Sequence, residues 1–234
     1  MQRYFVKEKK DNLLELEKSD LHHLKNVMRY KVGDKIECVY EKNLYICSID
    51  DLSSCWVSIL SEEKGITNPK KISIAVGMVK EQKFDLILQK LTELGIDEII
   101  PLKMERSIVK LGTEKIEKKL ERWQKICKEA AEQSKRNDIP IVHVPITIEE
   151  LKNMDYEQKF VCSTKKQNKL NYNYLHQFEK CATMIFVIGP EGGISDQEEN
   201  TLVSSGYSKV SFGDQIMRVE TATIYVASIL QFMK

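Results

Sequence analysis

Apolar positions along the chain recur with two different periods, and the change from one to the other divides the sequence. Short runs rich in β-branched and aromatic residues at 4–6, 35–40, 44–49 and 55–60 are separated by turn sequences at 32–34 and 41–43, which predicts several short strands. Between the first two runs Leu21, Leu24, Val27 and Met28 fall at helical spacing behind Ser19, so a helix over 19–29 with Ser19 as its N-cap is expected. Such a chain should close into a small β-barrel. From residue 72 the pattern changes. An apolar run at 72–78 is followed by a helical stripe over 82–94 (Phe84, Ile87, Leu88, Leu91, Leu94), with Gly95 placed to end it in a left-handed C′ conformation. A second apolar run at 98–102 completes a βαβ unit, which predicts a parallel sheet covered by helices. A long helix over 113–135 is expected from Ile116, Leu120, Trp123, Cys127, Ala130 and Ser134, with further strands at 141–144, 159–163, 184–188 and 209–212. The last segment places Ala222, Tyr225, Val226, Ile229, Leu230 and Met233 on one broad stripe that should be buried. Gly65 and Pro69 punctuate a polar run and suggest domains at 1–68 and 69–234.

Two turns in the second half carry the chemistry. The run 184–188 stops abruptly in Gly189, Pro190, Glu191, Gly192 and Gly193, as a buried strand does on entering a tight turn. Ser195 stands three residues before Glu198, the spacing of a capping box, so a helix should start there. A strand, a glycine turn and a helix start in succession make a ligand site, because glycines admit a small molecule close to the backbone. The turn carries Glu191 and no lysine, and it fails the templates that cradle phosphates. It therefore suits a neutral or cationic ligand, the alternative being a structural turn with a surface carboxylate. Residues 210–212 read as another short strand, Gly213 and Asp214 as a turn, and 216–221 as a loop entering the last helix. Arg218 and Glu220 stand at that entrance, where open α/β sheets place ligands.

Composition narrows the partners. The net charge is +1 with 30% charged residues, so a nucleic-acid partner must be met by a local basic patch. Arg3, Lys25 and Arg29 could form part of one, with an ordinary solvated surface as the alternative. In the helix over 113–135 the lysines alternate with Glu114, Glu117 and Glu121, which favours a self-paired solvated face. Six scattered cysteines without a C-x-x-C pair read as reduced thiols of a cytoplasmic protein. No cluster has metal-ligand spacing; of His22 and His23, one should pack and the other face solvent. No leader-like or membrane-spanning apolar run is present in the sequence.

Residues 189–193 taken with Phe212, Gly213, Ile216, Met217, Arg218, Glu220, Thr221 and Ala222 resemble the paired signature of the RsmE-type ribosomal RNA methyltransferases, of the SPOUT class. Residues 20–29 with Gly33 and Asp34 are similar to the N-terminal PUA-like RNA-binding domain of that family. Residues 89–96, 105–107, 122–123, 129–136 and Pro140 also match its pattern. The resemblance implies an α/β fold: a PUA-like β-barrel followed by a SPOUT domain with a parallel sheet and a deep C-terminal trefoil knot. It implies transfer of a methyl group from S-adenosyl-L-methionine to N3 of a uridine, conventionally numbered 1498, in the 16S RNA of the small ribosomal subunit. A non-catalytic RNA-binding module with a cofactor-like pocket is the alternative. On this reading Ser163, Gly189, Pro190, Glu191, Gly192, Gly193, Phe212, Gly213, Ile216, Met217, Arg218 and Thr221 hold the cofactor. Arg218 and Glu220 are the catalytic candidates, with Glu191 a second possible proton acceptor; Arg3, Lys25, Arg29, Arg106 and Arg136 are the RNA-contacting ones. A homodimer is also implied, without metal or membrane. The family pattern further implies an acidic residue at 162–164, which this sequence lacks.

Overall fold

The computed structural model describes residues 1–65, 69–109, 116–164 and 181–232. The chain folds as two compact units, Met1–Thr67 with Lys128–Ile139, and Asn68–Cys127 with Pro140–Lys234. Expected features at 66–68, at 113–115 and at Met233 lie outside the described residues.

The first unit is a six-stranded sheet. Its strands are β1 (Arg3–Phe5), β2 (Glu8–Lys10), β3 (Leu13–Glu15), β4 (Lys35–Tyr40), β5 (Asn43–Ser48) and β6 (Trp56–Glu63), in the order β1-β4-β5-β6-β3-β2. The two edge strands are consecutive in the chain, so the sheet must curl until its edges meet. No ladder joins β1 to β2 among the described residues, and the expected barrel is an open one. Tyr4, Leu14, Leu24, Ile36, Cys38, Tyr45 and Val57 fill its interior. The β2–β3 hairpin was not expected, because β2 is the wholly exposed run Glu8-Lys9-Lys10; charged side chains on an edge strand deter pairing with other chains. Glu41 and Lys42 join β4 to β5 with φ of 48° and 67°, the two left-handed residues of a primed hairpin turn.

The helix expected over 19–29 is shorter and differently built. It starts at Lys18 with Glu17 as N-cap and no side-chain cap bond, runs as α1 (Lys18–His22), and widens into a π-helical turn over His23–Val27. The wider turn rotates the face that follows. Leu24 stays buried while Val27 and Met28 are 61% and 42% exposed, and the inward position goes instead to Asp20. There Asp20 meets Lys128 at 2.8 Å. His23 accepts or donates a 3.1 Å hydrogen bond with the Tyr4 hydroxyl, and His22 is exposed.

Among the described residues of the second unit every strand pairing is parallel. β7 (Lys71–Gly77), β8 (Glu98–Lys103), β10 (Ile146–Thr147), β11 (Gln158–Cys162), β12 (Thr183–Ile188) and β13 (Ser208–Val210) lie in the order β10-β8-β7-β12-β11-β13. β9 (Ile141–Val142) pairs with the start of β8, and β10 pairs with its end. Together they form one interrupted edge, broken before Pro145, so the strand expected at 141–144 is shorter. α2 (Glu81–Glu93) buries Phe84, Ile87, Leu88 and Leu91, and Gly95 follows its C-cap at φ 75°. Along α3 (Ile116–Gln133) Trp123 and Cys127 are buried. Two of its cations pair with α2: Lys119 reaches Glu81 at 3.2 Å, and Arg122 reaches Glu81 at 2.9 Å and also Asp85, while Lys128 lies 3.7 Å from Glu132 one turn on in the same helix. A short α4 (Ile148–Leu151) opens with a Thr147–Glu150 capping box; α5 (Asp196–Ser204) and α6 (Val219–Phe232) complete the unit. α6 buries Val219, Thr223, Val226, Ala227 and Leu230, a stripe turned from the expected one, and Tyr225 is 42% exposed.

Candidate active site

The carboxyl ends of β12, β11 and β13, three neighbours in the parallel sheet, open into a cavity of about 330 Å³. That size suits a nucleoside-sized ligand. The glycine turn after β12 and the 212–219 loop before α6 form its walls, and Cys162, Ser163 and Thr164 close it from the end of β11. Two stretches far apart in sequence therefore face one space.

The turn is held by packing that glycine alone allows. Gly77 ends β7 so close to the turn that a Cβ on it would come 2.5 Å from Pro190 Cδ. A Cβ on Gly192 would meet Arg106 Cβ at 2.8 Å, and one on Gly189 would meet Ile194 Cγ1 at 2.7 Å. Gly193 differs. Its φ is +73° and a Cβ would meet nothing within 4 Å; it requires glycine for its backbone conformation and leaves open space on the cavity side. Behind the turn, Ser195 caps α5 and Glu198 returns the bond to the Ser195 N–H at 3.0 Å. The other Glu198 oxygen accepts the Glu105 N–H at 2.8 Å. Arg106 donates to the Gly192 and Ile194 carbonyls at 3.4 Å, so the 105–106 loop braces the turn from outside.

Of the residues expected to hold a ligand, Ser163, Gly189, Pro190, Glu191, Gly193, Phe212, Gly213, Ile216, Met217 and Arg218 line the cavity. Gly192 and Thr221 do not: Gly192 is packed under Arg106, and Thr221 is exposed on α6. Arg218 is exposed at the rim and its side chain makes no hydrogen bond or ion pair among the described residues. Glu220 is absent from the lining. Its carboxylate turns toward α2, where Lys83 Nζ stands 3.8 Å from Glu220 Oε2 and 3.0 Å from Glu191 Oε1. The turn has no lysine of its own, but α2 supplies one, a cation that sequence spacing could not bring to it.

A second carboxylate was also missed. Glu199, in the first turn of α5, is 3% exposed, lines the cavity, and is paired with Lys209 of β13 at 3.0 Å. Its position directly after the capping-box Glu198 was the available signal. Half-buried Cys162 also lines the cavity, and desolvation there raises its thiol above the ordinary range.

The expected RNA contacts divide. Lys25 and Arg29 are exposed. Arg3 is 6% exposed, bonded to Glu37 at 2.8 Å, to Asn137 at 2.6 Å and to the Lys135 carbonyl, so it is a structural cation and not a surface contact. Arg136 is committed to Asp138 at 3.0 Å with a largely buried side chain, whereas Arg106 is exposed beside the glycine turn, with bonds of 3.4 Å to its carbonyls. No group of three or more potential metal ligands occurs among the described residues, and none of their helices is long and apolar enough to cross a membrane.

A parallel α/β unit whose ligand cavity is built from loops at the carboxyl ends of its strands, carried with a small curled sheet, defines the class: residues 67–231 match the RNA methyltransferase domain, and residues 16–60 match the RNA methyltransferase PUA domain. The chain is 35% identical to ribosomal RNA small subunit methyltransferase E of Bacillus subtilis, over 99% of this chain and 96% of that protein. It is 33% identical to the protein of the same name in Mesomycoplasma hyopneumoniae, over 97% of each. The crystal structure of ribosomal RNA small subunit methyltransferase E from Neisseria gonorrhoeae, bound to S-adenosyl methionine, superposes with a TM-score of 0.87 at 29% identity, over 99% of this chain and 97% of that one. The chain belongs to the ribosomal RNA small subunit methyltransferase E (RsmE) family.

Proposed function

We propose that this protein transfers the methyl group of S-adenosyl-L-methionine to N3 of one uridine, conventionally numbered 1498, in the 16S RNA of the small ribosomal subunit. We assign it a SPOUT fold with a C-terminal trefoil knot and action as a homodimer in the cytoplasm. The observation that carries the reading is the cavity that the 189–194 turn and the 212–219 loop enclose together.

The residues present fit that cofactor. Gly193 leaves space that any Cβ would fill, and the walls include backbone and the apolar side chains of Ile188, Ile194, Phe212, Ile216 and Met217, suited to an adenine ring and ribose. The lining carries three carboxylates, Glu191, Glu199 and Asp214, against Arg218 at the rim and no lysine, a balance that disfavours a polyphosphate. Glu199 offers a buried carboxylate to hydroxyl or ammonium groups. When bound, the cofactor supplies an electrophilic methyl group on a sulfonium. Uracil N3–H is weakly acidic, so catalysis requires removal of its proton, stabilisation of the resulting anion and in-line approach of the nitrogen. Arg218 suits the second task, because its uncommitted guanidinium at the rim can donate to a uracil carbonyl as negative charge develops. Exposed Lys25 and Arg29 suit contacts to phosphates, which supply affinity without reading sequence.

Thermal denaturation with S-adenosylhomocysteine, NAD and ATP in parallel tests the cofactor assignment. Stabilisation by S-adenosylhomocysteine alone is expected. Stabilisation by NAD or ATP instead would contradict it.

A further inference from the structure

Two carboxylates, Glu191 in the glycine turn and Glu220 in the first turn of α6 directly after the second wall loop, flank one cation from a third element. Lys83 Nζ hydrogen-bonds Glu191 Oε1 at 3.0 Å and lies 3.8 Å from Glu220 Oε2. The Glu220 side chain is 16% exposed, and its Oε2 is buried without a hydrogen-bond partner. Other acidic side chains of α2 are engaged elsewhere, Glu81 with Lys119 and Arg122, Asp85 with Arg122. Among the described residues Lys83 pairs with Glu191 and Glu220 alone.

We propose that Lys83 is a positioning residue of the methyl transfer: it clamps the glycine turn to the start of α6, and Glu220 acts through this clamp and not as the proton acceptor. The proposal rests on the cofactor reading above. Three observations support it. Glu220 does not line the cavity whereas its neighbours Arg218 and Val219 do. Its carboxylate faces the ammonium of Lys83, which leaves the turn of α6 oriented with Arg218 toward the cavity. And two carboxylates placed this close would repel one another if no cation separated them. With Lys83 present, closure of the two walls is favoured; without it, the walls separate and the cavity loses its shape. The chemical balance is unaltered by the clamp. The N3 proton leaves to solvent at the open rim, N3 forms the bond to the methyl carbon, and the carbon–sulfur electron pair stays on sulfur.

The test compares Lys83→Met, Lys83→Arg, Glu220→Gln and the double variant Lys83→Met/Glu220→Gln. S-adenosylhomocysteine affinity is measured by calorimetry, and kcat and KM for methylation of small-subunit RNA are measured separately. The clamp predicts that Lys83→Met weakens S-adenosylhomocysteine binding about tenfold, the effect of losing one charge-assisted hydrogen bond. Lys83→Arg should restore affinity to within about twofold, and the double variant should be no worse than Lys83→Met alone, since both changes remove one interaction. Wild-type affinity in Lys83→Met would overturn the proposal. So would a Lys83→Arg variant as weak as Lys83→Met, or additive losses in the double variant. A Glu220→Gln variant that binds S-adenosylhomocysteine normally but loses kcat a hundredfold or more would make Glu220 the proton acceptor and equally overturn it. Should the wild-type protein itself fail to bind S-adenosylhomocysteine, the cofactor reading fails, a result distinct from all of these.

Discussion

Gly77 lies against Pro190 so closely that a Cβ on Gly77 would come 2.5 Å from both the Cδ and the N of the proline. The end of β7 is thereby the floor on which the ligand turn rests, although Gly77 does not line the cavity. Both atoms belong to a rigid ring, so the strain cannot be relieved by a rotamer change. Gly77→Ala should displace the turn, lower stability by ~1–3 kcal/mol and weaken S-adenosylhomocysteine binding. Denaturant unfolding paired with calorimetry checks both effects, and unchanged affinity would show that the turn does not depend on this floor.

Gly193 makes a different demand. Its φ of +73° with empty space around the missing Cβ means that substitution strains the backbone without any clash. A β-branched residue in that conformation costs ~1–2 kcal/mol, and asparagine much less. Gly193→Val should therefore destabilise more than Gly193→Asn. Both should lose cofactor binding, since either side chain enters the cavity. Thermal melting separates the variants, and binding that survives in Gly193→Val would refute the placement of the cofactor.

Arg218 is the exposed cation at the cavity rim. Arg218→Ala should lower the single-turnover rate of methyl transfer by ~10²–10³-fold, the usual cost of removing one donor to a developing anion, with S-adenosylhomocysteine affinity less affected. An unimpaired single-turnover rate would remove Arg218 from the chemistry.

In the first unit, burial pushes the Glu132 carboxyl up to about 7, against the opposing pull of Lys128 at 3.7 Å. A carboxyl raised above its unfolded value contributes stability fully present below that value and lost as pH rises through the folded one. Glu132 should thus cost stability progressively between about pH 4.5 and pH 7. Glu132→Gln removes that loss, and its advantage over wild type should grow across this window toward ~1–3 kcal/mol. Urea titrations at several pH values measure it. A pH-independent difference between the two proteins would show that Glu132 does not titrate in this range. Glu98 has the opposite sign: although burial opposes it, Lys71 at 2.7 Å, Ser73 at 2.8 Å and the His143 ring at 3.3 Å hold its carboxyl at about 2, so its contribution is lost progressively as pH falls from about 4.5 to about 2.

Local chemistry was legible where a residue's role is set by its near neighbours in sequence. The Ser195–Glu198 capping box, the Gly95 helix stop and the inward face of α2 are of this kind, and they are present as expected. So were both cavity walls, because each is a short strand followed by a turn. Legibility failed where tertiary contacts decide. The π-helical turn over His23–Val27 rotates Val27 and Met28 outward, and no periodicity announces it. Arg3 reads as a surface cation, yet its partners Glu37, Asn137 and the Lys135 carbonyl come from distant segments. Lys83 reads as one of several polar residues on α2, and only the folded sheet places it between Glu191 and Glu220. The β2–β3 hairpin was hidden because an exposed edge strand needs no apolar residues.

The central claim is the reaction itself. Small ribosomal subunits carrying an unmethylated target are incubated with this protein and isotopically labelled S-adenosylmethionine, and the 16S RNA is mapped by fragment mass spectrometry. The account predicts one methyl group, on N3 of the uridine conventionally numbered 1498. Label on another base or another atom, or none with the wild-type protein while S-adenosylhomocysteine binds, would contradict it.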